Sequence, residues 1–255
     1  MRILVTNDDG IHAHGLKVLE AIARSLSDDV LVVAPEADQS GVGHSLSLSD
    51  PLRLREIGED RFALKGTPTD CVVMGARKLA GERKIDLVLS GVNRGQNVAE
   101  DITYSGTVAA AIEGALMGAK AIALSQAYRG GAREKMHWDC AEEHGAKVVR
   151  DILAAGISEG GLVNVNFPPC AADAVTGVAV TEQGRRDTDL LRVEERQDGR
   201  GFAYYWLVFK RGGFPVAALS DVAALAADKI SVTPLTIDFT DRSAMARLKA
   251  ALHRP

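Results

Sequence analysis

The feature that most constrains this chain is the alternation, over its first 130 residues, of short apolar runs with segments of helical periodicity. Residues 2 to 6 form an apolar run that ends at Asn7-Asp8-Asp9-Gly10, and Val30-Leu-Val-Val-Ala34 forms another that ends at Pro35. Apolar runs bounded by turn residues are the pattern of buried strands. Between them Leu16, Leu19, Ile22 and Leu26 recur every three or four residues, which predicts a helix over residues 15 to 26 and hence a β-α-β unit. The unit repeats. Thr67-Pro68-Thr69-Asp70 offers an N-cap, a first-turn proline and a first-turn acid for a helix reaching Leu79. Asp86-Leu-Val-Leu-Ser90 is the next strand, a small-residue helix spans Thr107 to Met117, and Ala121-Ile-Ala-Leu-Ser125 returns as a strand. Residues 1 to 130 therefore read as a doubly wound parallel sheet with helices on both faces.

The remaining segments follow less regular rules. Residues 45 to 65, broken by Asp50-Pro51 and Gly58, read as small antiparallel strands in an excursion beside the sheet. Residues 139 to 154 suggest a helix and Leu162-Val-Asn-Val-Asn-Phe167 a strand closed by Pro168-Pro169, after which a different subregion begins near residue 170. There Gln197-Asp198-Gly199-Arg200-Gly201 separates the two strands of a long hairpin. Phe202, Tyr204, Tyr205, Trp206 and Phe209 crowd both faces of its second strand, a pattern that fits either a core strand or a subunit interface. Gly114-Ala-Leu-Met-Gly118 reads as a small-residue packing face.

Composition narrows the class of function. At 255 residues, with 46% hydrophobic and 25% charged residues, the chain is an ordinary soluble globular one with a sizeable core. A formal charge of -4 supplies no positive field for a phosphate polymer, so no stable nucleic-acid binding is expected. Cys71, Cys140 and Cys170 lack Cys-x-x-Cys spacing and read as reduced intracellular thiols, not as a disulfide framework or a zinc site. The absence of an apolar leader before Asn7 and of any membrane-length apolar run places the expectation in the cytoplasm.

In an open parallel sheet, ligands bind beyond the carboxyl ends of the strands. The loops after residues 6, 34 and 90 should then face one crevice, to which they bring Asn7, Asp8 and Asp9, then Asp38, Gln39 and Ser40, then Asn93, Arg94 and Asn97. Two adjacent carboxylates in a crevice call for a cation, although the pair by itself fits a capped turn equally well. Carboxylate, hydroxyl and amide oxygens suit a hard ion such as Mg²⁺ or Mn²⁺. Tyr104-Ser105-Gly106-Thr107 opens a helix whose unpaired N–H groups would receive a phosphate, the same groups that an N-cap serves. His12, His14 and His44 are further candidates for metal binding or proton transfer, beside ordinary loop roles. No Walker pattern, Gly-x-Gly-x-x-Gly fingerprint or Gly-x-Ser-x-Gly elbow occurs, so a metal-activated water is the simplest nucleophile.

Taken together, Asn7-Asp8-Asp9-Gly10, Ala34-Pro35, Ser40-Gly41, Gly66-Thr67-Pro68-Thr69-Asp70-Cys71-Val72, Ser90-Gly91-Val92-Asn93-Arg94-Gly95-Gln96-Asn97 and Tyr104-Ser105-Gly106-Thr107-Val108-Ala109-Ala110-Ala111 resemble the stationary-phase survival SurE family. The resemblance spans nearly the whole chain. It implies a three-layer α/β/α, Rossmann-like fold with a mostly parallel sheet and a C-terminal β-hairpin extension. A single domain over 1-255 would then divide into a core at 1-170 and an extension at 171-255 that serves as the arm of a homodimer or homotetramer. The implied activity is that of a metal-dependent 5′-nucleotidase acting on nucleoside monophosphates, with one divalent ion, Mg²⁺ or Mn²⁺, per subunit.

Carried over by motif, Asp8 and Asp9 are carboxylate ligands, Ser40 a hydroxyl ligand and Asn93 an amide ligand. Asn97 with Ser105, Gly106 and Thr107 would contact the phosphate, and Asp8 or Asp9 would orient or deprotonate the attacking water. Two places depart from the family pattern: His14, where proline is commoner, and Ala227-Asp228-Lys229, where an apolar residue and Gly-Tyr are expected. Two other readings compete. A haloacid-dehalogenase-like phosphatase needs its aspartates two apart, not adjacent, and a non-catalytic nucleotide-binding regulator would share the pocket without releasing phosphate.

Overall fold

The computed structural model describes residues 1–129, 136–185, 191–209 and 217–252. The apolar runs form the centre of one nine-stranded sheet. Its strands are β1 (Ile3–Thr6), β2 (Val30–Pro35), β3 (Arg53–Gly58), β4 (Arg61–Lys65), β5 (Leu87–Arg94), β6 (Lys120–Gln126), β7 (Gly161–Phe167), β8 (Gly177–Val180) and β11 (Lys229–Thr236). They lie in the order β3-β4-β2-β1-β5-β6-β7-β11-β8. The pairings from β4 through β2, β1, β5 and β6 to β7 are all parallel. From β1 the chain moves first towards β2 and later, in the other direction, to β5. The switch point of the topology therefore lies between β1 and β5, where a ligand crevice is expected at their carboxyl ends.

Side chains of successive strand residues alternate between the two faces, and each face is closed by helices. Ile3 and Val5 of β1 face the layer of α1 (His14–Arg24) and α4 (Trp138–Ala155), packing with Leu16, Leu19, Ile22, Val148 and Val149. Leu4 faces the opposite layer, where Cys71 and Val72 of α2 (Pro68–Met74) meet Val108, Ala110 and Ala111 of α3 (Gly106–Leu116). This is the three-layer α/β/α arrangement read from the sequence. Thr67 caps α2 as expected: its hydroxyl accepts from Asp70 N–H, and the Asp70 carboxylate accepts from Thr67 N–H. The helix continues as one π-helical turn over Gly75–Leu79.

One expectation needs correcting, and one open alternative is narrowed. The strands within residues 45 to 65 are antiparallel to each other, but they do not stand beside the sheet. β4 pairs in parallel with β2, so the pair forms the sheet's edge. The second concerns the hairpin of β9 (Leu191–Gln197) and β10 (Ala203–Phe209), which forms a separate two-stranded sheet. Phe202, Tyr204, Tyr205 and Trp206 are all exposed, so β10 is not a core strand of this chain; the side chain of Phe209 lies outside the described residues. Among the described residues no further strand joins this two-stranded sheet. Elsewhere the C-terminal third completes the main sheet, with β11 antiparallel to β7 and β8 parallel to β11. It also adds α5 (Asp221–Ala226) and α6 (Arg242–Leu252), the latter with no buried residue. No helix among the described residues is long and apolar enough to cross a membrane.

Candidate active site

The crevice at the switch point is organised around Asp8, which lies just past β1, after Asn7, and is 4% exposed. Its Oδ1 accepts a 2.6 Å hydrogen bond from the Thr107 hydroxyl, ninety-nine positions away at the start of α3. The helix comes this close because of Gly106: a Cβ there would lie 2.9 Å from Asp8 Cβ and 3.1 Å from its Oδ2. Ser105 is the N-cap of α3, its Oγ accepting from Val108 N–H at 3.0 Å. The remaining first-turn N–H groups, those of Gly106 and Thr107, have no intrahelical acceptor and form the positive end of the helix dipole.

Two further loops close on the same carboxylates. Gln39 N–H donates to the Asp8 carbonyl at 2.8 Å, which ties the loop after β2 to the turn after β1. On that loop Ser40 is exposed, and both its N–H and its hydroxyl donate to Asp38 Oδ1, at 2.8 and 2.6 Å. From the end of β5, Arg94 N–H donates to Asp9 Oδ2 at 2.9 Å, and Asn93 Nδ2 donates to the Gly95 carbonyl at 2.8 Å, which leaves Asn93 Oδ1 as the acceptor end of that amide. Asp8, Asp9, the Ser40 loop, the end of β5 at Arg94 and the first turn of α3 are thus tied together by hydrogen bonds, with Asn93 next to Arg94 in sequence. Asn97 sits in a different setting: its Nδ2 donates to Ser125 Oγ, its N–H to Asn166 Oδ1, and its carbonyl accepts from Asn164 and Asn166.

Burial raises the Asp8 carboxyl from its ordinary 3.8 to about 7, the Thr107 hydrogen bond opposes that rise, and the charges of Asp9 and Asp38 add to it. An ionised carboxylate in that position, with two others as its charged neighbours, is stabilised by a cation. Among the described residues no three His, Cys, Asp or Glu side chains gather into a metal cluster. A cation here would therefore draw on the mixed set of Asp8, Asp9, Ser40 and Asn93, all oxygen donors, and such a set fits a hard divalent ion better than zinc. Of the histidines, His12 and His14 line a cleft that begins at Asp9, whereas His44 Nε2 lies 2.9 Å from Glu113 Oε2 on α3.

Residues 3–189 match the family described as Survival protein SurE. The chain belongs to the SurE family. It is 62% identical over 252 residues to the 5′-nucleotidase SurE of Methylobacterium sp. (strain 4-46), covering 99% of this chain and 100% of that one. Its identity to the 5′-nucleotidase SurE of Methylocella silvestris is 61%, again over 252 residues, with the same coverage. Among solved structures it resembles the SurE protein from Aquifex aeolicus, with a TM-score of 0.85 and 38% identity over 99% of this chain and 100% of that chain.

In this SurE-family chain, reasoning from sequence missed three features of the site. Thr107 was read only for its place at the helix start, and its fully buried side chain adds a contact that was not foreseen: its hydroxyl donates to Asp8. Asp38 was noted as a polar loop residue, and it proves to hold Ser40 and to act on Asp8. Asn164 and Asn166 on β7 were passed over, although both are fully buried and both hold Asn97. A signal for the last pair was present: amides at every second position of an otherwise apolar strand put two polar groups on one buried face.

Proposed function

We propose that the chain is a 5′-nucleotidase: a phosphomonoesterase that converts nucleoside 5′-monophosphates to nucleoside and phosphate, with one divalent ion, Mg²⁺ or Mn²⁺, held per subunit by Asp8, Asp9, Ser40 and Asn93. The observation that carries this reading is the buried Asp8 carboxylate, set beside Asp9 and Asp38 and under the first turn of α3. The substrate class is supported by relatives about 60% identical that bear the name 5′-nucleotidase SurE. When bound, the cation would supply Lewis-acid polarisation of the phosphoryl group and a water of lowered pKa.

The chain's own groups supply orientation and charge stabilisation. Thr107 fixes one oxygen of Asp8, and Arg94 N–H fixes one oxygen of Asp9. Either carboxylate can then orient or deprotonate the attacking water without having to reorganise first. The N–H groups of Gly106 and Thr107, with the Ser105 cap, face the negative charge that develops on the phosphoryl oxygens. Asn97 Nδ2 donates one hydrogen to Ser125, and an amide nitrogen has a second for a phosphate oxygen.

For assembly we favour a homodimer or homotetramer joined through the C-terminal arm, supported by the exposed aromatics of β10. Three unbridged cysteines support a cytoplasmic setting. The test is phosphate release from nucleoside and deoxynucleoside 5′-monophosphates, pyrophosphate and generic phosphomonoesters, each with Mg²⁺, with Mn²⁺ and with chelator. Cation-dependent release that favours the nucleoside 5′-monophosphates is expected. Release that survives the chelator, or a trapped aspartyl-phosphate, contradicts the reading, and no release from any substrate would leave a binding pocket without catalysis.

A further inference from the structure

A cleft of about 780 Å³ opens beside Asp9, between the start of α1, the end of β5 and the start of α4. Its volume suits a molecule the size of a nucleoside. Besides Asp9 it is lined by His12, His14, Arg94 and Trp138. None of these four has a part in holding the carboxylates through its side chain.

The Trp138 indole is only half-buried although it packs against the core beneath α1. Its Cη2 comes so near Gly15 that a Cβ there would lie 3.0 Å away, and the same Cβ would strike the Val92 carbonyl at 1.9 Å. One end of the indole is therefore anchored and the rest faces the cleft. Beside it stands the His14 ring, with its centroid 5.2 Å away and its plane tilted by 51°. His14 is 57% exposed and lies 3.7 Å from Glu142 Oε1. Arg94 reaches Asp9 only through its backbone, and its exposed guanidinium makes no ion pair with the described residues. An aromatic pair with a guanidinium that makes no ion pair among the described residues, adjoining the proposed phosphoryl-transfer site, matches a flat heterocycle with acceptor atoms on its edge.

We infer that this cleft is the subsite for the nucleoside part of the substrate, with the base stacked on Trp138 beside His14 and Arg94 donating to its acceptor edge. The inference rests on the reading of the Asp8–Asp9 crevice as the phosphomonoesterase centre, since it is Asp9 that joins the two. Purines are preferred, because two fused rings overlap the indole more fully than one does.

The test compares AMP with ribose 5-phosphate, which has the same sugar phosphate and no base. Trp138→Ala lowers the ratio of kcat/KM for AMP to that for ribose 5-phosphate by roughly tenfold, the scale of losing one aromatic stacking platform. His14→Ala, an exposed position that leaves the packing intact, lowers the same ratio about threefold, as for the loss of one aromatic neighbour. Binding is read separately. AMP quenches the intrinsic tryptophan fluorescence of the wild type and ribose 5-phosphate does not, and the quench disappears in Trp138→Ala, which keeps Trp206. An unchanged ratio in both variants, or a quench that survives Trp138→Ala, overturns the inference. If phosphate is released from neither substrate, the phosphomonoesterase reading fails, and the quench alone then decides whether a base occupies the cleft.

Discussion

The crevice between β1 and β5 and the hairpin of β9 and β10 break opposite halves of the same rule. In the crevice charge is inside: Asp8 is 4% exposed, with Asp9 and Asp38 acting on it. On the hairpin apolar surface is outside, with Phe202 70%, Trp206 55% and Leu207 71% exposed. A chain folding for stability alone would reverse both choices. The crevice is fixed by hydrogen bonds between segments far apart in sequence, whereas among the described residues β9 and β10 pair only with each other. On the function proposed above, each departure is a place where the chain would meet something else. The first has the polarity of a site for a cation and a phosphate, and the second that of a surface for a second copy.

The largest test of this contrast is Asp8→Asn, which keeps the shape of the side chain and removes its charge. Turnover of a nucleoside 5′-monophosphate is expected to fall on the order of 10²–10³-fold, the scale of losing a group that acts on the transition state. The cation-free variant should nevertheless melt no lower than the wild type at pH 8, because a buried charge has been exchanged for a neutral amide. A smaller effect is expected from Thr107→Val, which removes the donor to Asp8 Oδ1 and should lower kcat about 10–100-fold. Thr103→Val serves as its control, since that hydroxyl donates only to the Glu100 carbonyl at the surface. Equal kinetics for the two threonine variants would remove Thr107 from the account.

Much of this was legible in the sequence, for reasons that particular residues show. The runs at Val30–Ala34 and Leu87–Leu89 are buried on both faces, and central parallel strands read as continuous apolar runs. The acidic turn, the Ser40 loop and Asn93 could be placed together because strand polarity alone sends those loops to one end of the sheet. The edge to which β3 and β4 attach was not legible, because that choice depends on pairing with β2 across about thirty intervening residues, not on any local pattern. Nor was the partner of Thr107: a threonine at a helix start reads as a cap or an anion contact, and only the close approach at Gly106 brings Asp8 beneath it. The exposure of β10 was equally hidden, since aromatic residues on both faces fit a core strand and an interface alike.

The pH dependence gives a subtler comparison. In the folded chain the Asp8 carboxyl is raised to about 7, above its ordinary 3.8, so the folded state holds that proton more tightly than the unfolded chain does. The resulting stability is fully present below 3.8 and is lost as the pH rises through about 7. In chelator, the melting temperature of the wild type relative to Asp8→Asn should therefore decline from about pH 4 to pH 7 and level off above it. A difference that stays flat across that window would mean Asp8 is not held as described. The smallest effect on the fold is expected at the hairpin. Trp206→Lys should change the stability of the main sheet by no more than about 0.5 kcal/mol, as exposed positions usually do. Light scattering should show the assembly reduced to single chains, and an unchanged mass would move the interface elsewhere.

The central claim is that the crevice around Asp8 and Asp9 is a cation site, and calorimetric titration of Mn²⁺ into chelator-stripped protein tests it most directly. The account predicts one ion per subunit, bound with release of a fraction of a proton that is larger at pH 6.5 than at pH 8, because Asp8 must ionise to bind. It also predicts that both the binding and the proton release are lost in Asp8→Asn. Stoichiometric binding that persists unchanged in Asp8→Asn would contradict it.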